Sequence, residues 1–119
     1  MKTIAVINQK GGVGKSTTAM ALGAGLHFKN KKVLFVDLDA QGNLSYTLGA
    51  KTNGFNVMGV LQNPQTVMDE IQHINLGDVL ASSAFLSGAD TIITQTGKEY
   101  RLKEAFSAIE HLYDFAIID

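Results

Sequence analysis

The chain has 119 residues, 45% hydrophobic and 18% charged, with 10 Lys+Arg against 11 Asp+Glu for a net charge of -1. That suits one soluble globular domain with a real core, and it argues against nucleic-acid binding driven by overall charge, which needs a surplus of cations on some face. No cysteine is present, which excludes disulfides, zinc–thiolate sites and cysteine-ligated iron–sulfur clusters.

Thr3 to Ile7, "TIAVI", is short, β-branched and almost wholly apolar, as expected of a strand buried on both faces. The run is too short for a secretory signal, and nowhere does the chain reach the roughly 18 consecutive apolar residues of a membrane helix. The expectation is a soluble protein without a membrane segment. A glycine-rich loop follows, and from Lys15 "KSTTAMALGAGLHFKN" reads as a helix with Met20, Leu22 and Leu26 available for a buried stripe. Its two internal glycines weaken the helix, a cost tolerated where a helix packs closely on a sheet.

Val33 to Val36, "VLFV", makes a second buried strand ending in Asp37. The next segment, "DLDAQGNLSYTLGAKTNG", is rich in turn residues and reads as loop with one helical turn near Leu44 to Leu48. Short helices are expected over Asn56–Leu61 and Thr66–Ile71, divided at Asn63-Pro64, and a third strand over Val79–Ser82. Glu99 to Tyr113 is an amphipathic helix, its Leu102, Phe106, Ile109 and Tyr113 at core-facing spacing. Phe115 to Ile118, "FAII", is a last strand, with Asp119 at its end. Strands alternating with helices imply right-handed crossovers and a parallel α/β sheet.

The segment "KGGVGKST" between strand and helix carries the chemistry. Glycines at 11, 12 and 14 let successive backbone N–H groups turn inward as an anion cradle, and the following helix adds its positive N-terminal end. Lys15 can reach phosphate oxygens, and the Ser16 hydroxyl can ligand Mg²⁺. The ordinary pattern G-x-x-x-x-G-K-[ST] wants a glycine at position 9, where this chain has Gln9 followed by Lys10. Asp37, Asp39 and Asp119 all stand at the carboxyl ends of expected strands. One such aspartate alone is most simply a turn former; three beside a phosphate loop point to one site. His27, His73 and His111 have no metal spacing.

Together "NQKGGVGKSTTA", "VLFVDLDAQGNLSYTLG", "GKEYRLKEAF" and "YDFAIID" resemble the ParA/Soj family of partition ATPases, in the deviant Walker-A group that also holds MinD and the nitrogenase iron protein. The resemblance runs in order over essentially the whole chain. It implies a P-loop NTPase-type parallel sheet flanked by helices, with ATP and Mg²⁺ as cofactors. It also accounts for Gln9. The family pattern x-K-G-G-x-x-G-K-[ST] needs no glycine there, and the lysine that follows, Lys10, is its signature lysine. The resemblance implies that Lys10 reaches across an ATP-sandwiched dimer to the partner's phosphates, supplying positive charge in trans.

By the same residue-wise transfer, Lys10, Gly11, Gly12, Val13, Gly14, Lys15, Ser16 and Thr17 bind the nucleotide. Lys10, Lys15 and Asp39 carry catalysis, with Asp39 orienting the attacking water. Ser16, Asp37 and Asp119 hold the metal shell, and Gln41, Gly42 and Asn43 form the switch that senses the γ-phosphate. Gln41 resembles the ParA/Soj branch rather than MinD, and the lack of cysteine excludes the iron-protein branch.

Family members continue beyond the Walker-B aspartate into a second switch, later strands, adenine-holding groups and a basic DNA-binding surface. Residues 1–119 are therefore expected to be the N-terminal part of a single P-loop ATPase domain, truncated after the Walker-B strand, with one sheet edge open. The function implied is a cytoplasmic ATP-hydrolysing partition protein. It positions or segregates DNA through an ATP-dependent homodimer cycle with a ParB-like partner, and touches non-specific DNA only through the missing C-terminal half. Two alternatives stay open: a nucleotide-binding or dimerising module without hydrolysis, and a MinD-like positioning ATPase with another cargo.

Overall fold

The computed structural model describes residues 1–7, 14–88 and 100–119. Five strands form one sheet in the order β1-β5-β2-β4-β3: β1 Lys2–Ala5, β2 Val33–Val36, β3 Gln72–Ile74, β4 Gly77–Leu80 and β5 Phe115–Ile118. β1, β5, β2 and β4 run parallel, and β3 pairs antiparallel with β4 along one edge. The helices are α1 Lys15–Phe28, α2 Asn43–Thr47, α3 Val57–Gln62, α4 Val67–Glu70 and α5 Arg101–Ile109.

β2 lies at the centre, and its four residues are all buried. Alternation sends Leu34 and Val36 to one face, where Leu80 joins them against Val57 and Val60 of α3 and Ala105 and Ile109 of α5. Val33 and Phe35 go to the other face, with Val79 and Ile117, against Ala19 of α1 and Leu44 of α2. A continuous apolar run is what a parallel strand covered on both faces requires. The expected core role of Leu102, Phe106 and Ile109 is met: all three pack on the first of these clusters.

Elsewhere the structure differs from expectation. β1 is not buried on both faces: it pairs with β5 alone among the described strands, most of its residues are exposed, and Ile7 just beyond it is 84% exposed. On α1 the fully buried positions are Ala19 and Gly23; of the expected stripe, Met20 and Leu26 are partly buried and pack on the second cluster, while Leu22 is 36% exposed. Close approach to the sheet selects small residues there. The third strand sits at Gly77–Leu80 instead of Val79–Ser82, as the second arm of a hairpin whose first arm, β3, is too polar to read as a strand. The last helix spans Arg101–Ile109, the chain turning at 110–112 before β5; Glu99 lies outside the described residues.

Turn chemistry fixes the connections near the site. The Asn56 side chain caps α3 by accepting from the Met58 N–H at 2.9 Å. Gly14 and Gly42 precede α1 and α2 with φ of 82° and 70°, in the left-handed region that glycine enters without a Cβ clash.

Candidate functional site

The parallel ladder places the carboxyl ends of β2 and β5 side by side. Asp119 N–H donates to the Val36 carbonyl at 2.9 Å, and Leu38 N–H returns to the Asp119 carbonyl at 2.7 Å. Asp37 and Asp119 thus leave the same, carboxyl end of the sheet, and α1 begins beside them. Carboxyl ends of parallel strands are where open α/β sheets hold their ligands.

Lys15 and Ser16, in the first turn of α1, both reach Asp119. The Lys15 ammonium bonds Asp119 Oδ1, and the Ser16 hydroxyl donates to Oδ2 at 2.7 Å. The Asp119 side chain is wholly buried, and Lys15 also lies 3.7 Å from Asp39 Oδ2. Burial alone would lower the Lys15 pKa. The hydrogen bond and charge of Asp119, with Asp39 and Asp37 behind it, outweigh that and hold the ammonium above its ordinary range. Thr17 is exposed on the same turn. Among the described residues no side chain caps α1, and the first N–H groups of a helix carry partial positive charge that suits an anion.

Asp37 is fully buried and has a different role. Its Oδ2 accepts from both the N–H and the hydroxyl of Ser45, at 2.9 and 2.7 Å, and its Oδ1 accepts from the Asp39 N–H at 3.1 Å. Burial raises its pKa; the Ser45 and Asp39 bonds work against that, and the Asp119 charge adds to it. Both its oxygens thus accept hydrogen bonds from within the protein, as both oxygens of Asp119 do. The Asp39 side chain stays partly exposed, its Oδ1 accepting from the Gln41 N–H at 3.0 Å. Gln41 and Asn43 are exposed, while Gly42 is buried below them.

Lys15, Ser16, Asp39 and Asp119 are therefore brought together, with Asp37 as the floor. Lys10, Gly11, Gly12 and Val13 lie outside the described residues. Among the described residues no group of three or more His, Cys, Asp and Glu side chains converges to hold a metal by itself. Hydroxyl and carboxylate oxygens beside a lysine fit Mg²⁺ shared with phosphates, since Mg²⁺ takes few protein ligands and hard oxygen donors. Ser45 and Ser82, which tie this floor together, escaped sequence reasoning. A serine fits loop, turn and core alike, and the one usable signal was Ser82 closing the apolar run "DVLASS".

A cavity of about 700 Å³ opens at the opposite, amino end of the sheet, where Val33, Asp78 and Tyr113 contribute to its wall. Its acid is already engaged inside the protein. Asp78 accepts from the Tyr113 hydroxyl at 2.5 Å, and its other oxygen lies 2.6 Å from His73 Nδ1. The chemistry-bearing residues converge at the carboxyl end instead.

Comparison with known proteins gives the family and the fold. The AAA domain family profile matches residues 1–119. The sporulation initiation inhibitor protein Soj of Bacillus subtilis (strain 168) is 41% identical over 99% of this chain and 49% of its own length. The chromosome-partitioning ATPase Soj of Treponema pallidum (strain Nichols) is 37% identical over 99% of this chain and 47% of its own. Among solved structures, cobyrinic acid a,c-diamide synthase from Mycobacterium smegmatis with bound ATP analogue and magnesium superposes with a TM-score of 0.92. It is 35% identical, covering 100% of this chain and 50% of that one. The chain spans about half the length of the curated relatives it matches. No helix among the described residues is long and apolar enough to cross a membrane.

Proposed function

The chain belongs to the AAA domain family, among the relatives of Soj and ParA, and from that premise we propose that residues 1–119 form the N-terminal, nucleotide-handling part of a single P-loop ATPase domain of a partition protein. One observation carries the reading: Lys15 and Ser16 from α1 meet Asp119 from β5 beside Asp39 from the end of β2. A strand–loop–helix cation, a hydroxyl and two acids at one end of the sheet suit a nucleoside triphosphate with its Mg²⁺. Ser16 and Asp119 would hold a magnesium ion, which when bound would neutralise phosphate charge.

The residues divide the work. The Lys15 ammonium exchanges Asp119 for phosphate oxygens and stabilises negative charge there. Gly11, Gly12, Val13, Gly14 and Thr17 offer backbone and first-turn donors to the phosphates. Ser16 and Asp119 hold the metal shell, and Asp37 supports it from below. Asp39, partly exposed and next to Lys15, orients the attacking water; products are ADP and phosphate. Lys10 acts in trans in an ATP-dependent homodimer. At the level of the whole protein, a ParB-like partner drives the cycle, non-specific DNA is bound outside residues 1–119, and the site of action is cytoplasmic.

Calorimetric titration of MgATP into the 119-residue chain, with Lys15→Ala and Asp39→Ala beside it, tests this. Lys15→Ala should weaken binding by about tenfold or more, the worth of a charged hydrogen bond. Asp39→Ala should keep binding and lose phosphate release measured without any acceptor. Equal affinity in wild type and Lys15→Ala would remove the phosphate cradle from the reading. Binding without turnover in wild type would leave a nucleotide-binding module.

A further inference from the structure

We propose that Ser82, anchored by Ser45, is a positioning residue for Asp39; the proposal rests on the reading of Asp39 as the water-orienting acid. The setting of the Asp39 carboxylate depends on its backbone, which is held on both sides. Its N–H donates to Asp37 Oδ1 at 3.1 Å. Its carbonyl accepts from the Gly42 N–H at 2.9 Å and, from across the edge, from the Ser82 hydroxyl.

Ser82 is itself fixed. It is buried just past the end of β4, and its N–H donates to Ser45 Oγ at 2.8 Å. Ser45, fully buried in α2, donates both its hydroxyl and its N–H to Asp37 Oδ2. A serine hydroxyl has one proton, so each direction in this circuit is set. Ser45 gives its proton to Asp37 and accepts from the Ser82 N–H; Ser82 gives its own proton to Asp39. The circuit Asp37–Ser45–Ser82–Asp39 closes on itself through three segments: the end of β2, the helix α2 and the end of β4.

Two consequences follow. Asp39 keeps its place beside Lys15 unless a buried hydrogen bond breaks, and such bonds are costly to leave unmade. The Gln41–Asn43 segment, between Asp39 and Ser45, is thereby tied at both ends to Ser82 past the end of β4.

Removing only the Ser82 hydroxyl is a mild change, because Ser82→Ala keeps the N–H bond to Ser45 and leaves Gly42 on the Asp39 carbonyl. In Ser82→Ala, kcat for phosphate release should fall about tenfold, the worth of roughly one hydrogen bond. The MgATP dissociation constant should stay within about twofold of wild type, and Ser82→Thr, which keeps the hydroxyl, should recover turnover. Without added nucleotide, amide exchange at 39–43 should quicken by a similar factor while β2 and β5 keep wild-type rates. Wild-type kcat and wild-type exchange in Ser82→Ala would overturn the proposal, as would exchange that quickens evenly over the sheet. If the wild-type chain neither binds nor hydrolyses MgATP, the functional reading falls and the positioning role falls with it. The exchange result then decides the hydrogen-bond circuit on its own.

Discussion

Lys15 is a cation whose partner is already chosen inside the fold. Its ammonium bonds a carboxylate that is wholly buried, and among the described residues Ser16 supplies the other side-chain donor to that group. Truncating one partner of such a pair leaves the other charged and desolvated, which costs more than the pair contributes when intact. Lys15→Ala should therefore lower stability by about 1–3 kcal/mol in urea unfolding without nucleotide. Asp119→Asn added to it should restore at least half of the loss, because the stranded charge is gone. Strictly additive single and double variants would mean that the two side chains are not coupled. On the proposed reading, a triphosphate must give Lys15 a better anion than Asp119 does.

At the scale of elements, α1 carries two glycines with opposite meanings. A Cβ on Gly23 would stand 2.2 Å from Cε1 of the buried Phe35 ring. Gly25 faces open space, with nothing within 4 Å. Gly23→Ala should destabilise the chain by about 1–3 kcal/mol through overpacking against β2. Gly25→Ala should stabilise it by about 0.5–1 kcal/mol through helix propensity. Thermal melting of the two variants reads the signs, and shifts in the same direction would contradict this account of helix–sheet packing. Sequence reasoning reached the general point, that glycines here signal close packing. It could not tell which glycine faces the sheet, because small residues leave no apolar period. A different limit applies to β1, whose letters match those of β2: strand order comes from non-local pairing that local composition does not encode, and its exposure is that of residues spanning about half the length of the relatives. Asp37 and Asp119 stood out because each ends a conspicuous apolar run, and Asp39 because it follows Asp37 by two residues. Ser45 and Ser82 were not, since their meaning lies in partners 8 and 37 residues away.

Across the whole molecule, the two ends of the sheet serve separate purposes. The carboxyl end gathers the candidate site, while the amino end is fastened by Asp78, which joins the β3–β4 hairpin to the corner after α5 through the Tyr113 hydroxyl. Burial, with the hydrogen bond to Asp78 and its charge, raises the Tyr113 phenol above its ordinary pKa of 10.0. The unfolded chain then loses this proton near pH 10 while the folded chain keeps it. The folded state binds more protons in that window, so the contribution of Tyr113 is fully present below about pH 10 and fades as pH rises beyond it. Tyr113→Phe should cost about 1–2 kcal/mol at pH 8, the worth of a hydrogen bond to a charged group. It should also flatten the further loss between about pH 10 and 11.5 relative to wild type. Urea unfolding at both pH values measures the difference. The MgATP affinity at pH 8 should not change, because the four-residue strands β2 and β5 lie between the two ends. A Tyr113→Phe chain with wild-type alkaline sensitivity would place the proton elsewhere. A change in MgATP affinity would show that the amino end of the sheet is coupled to the site and does not merely hold the fold that carries it.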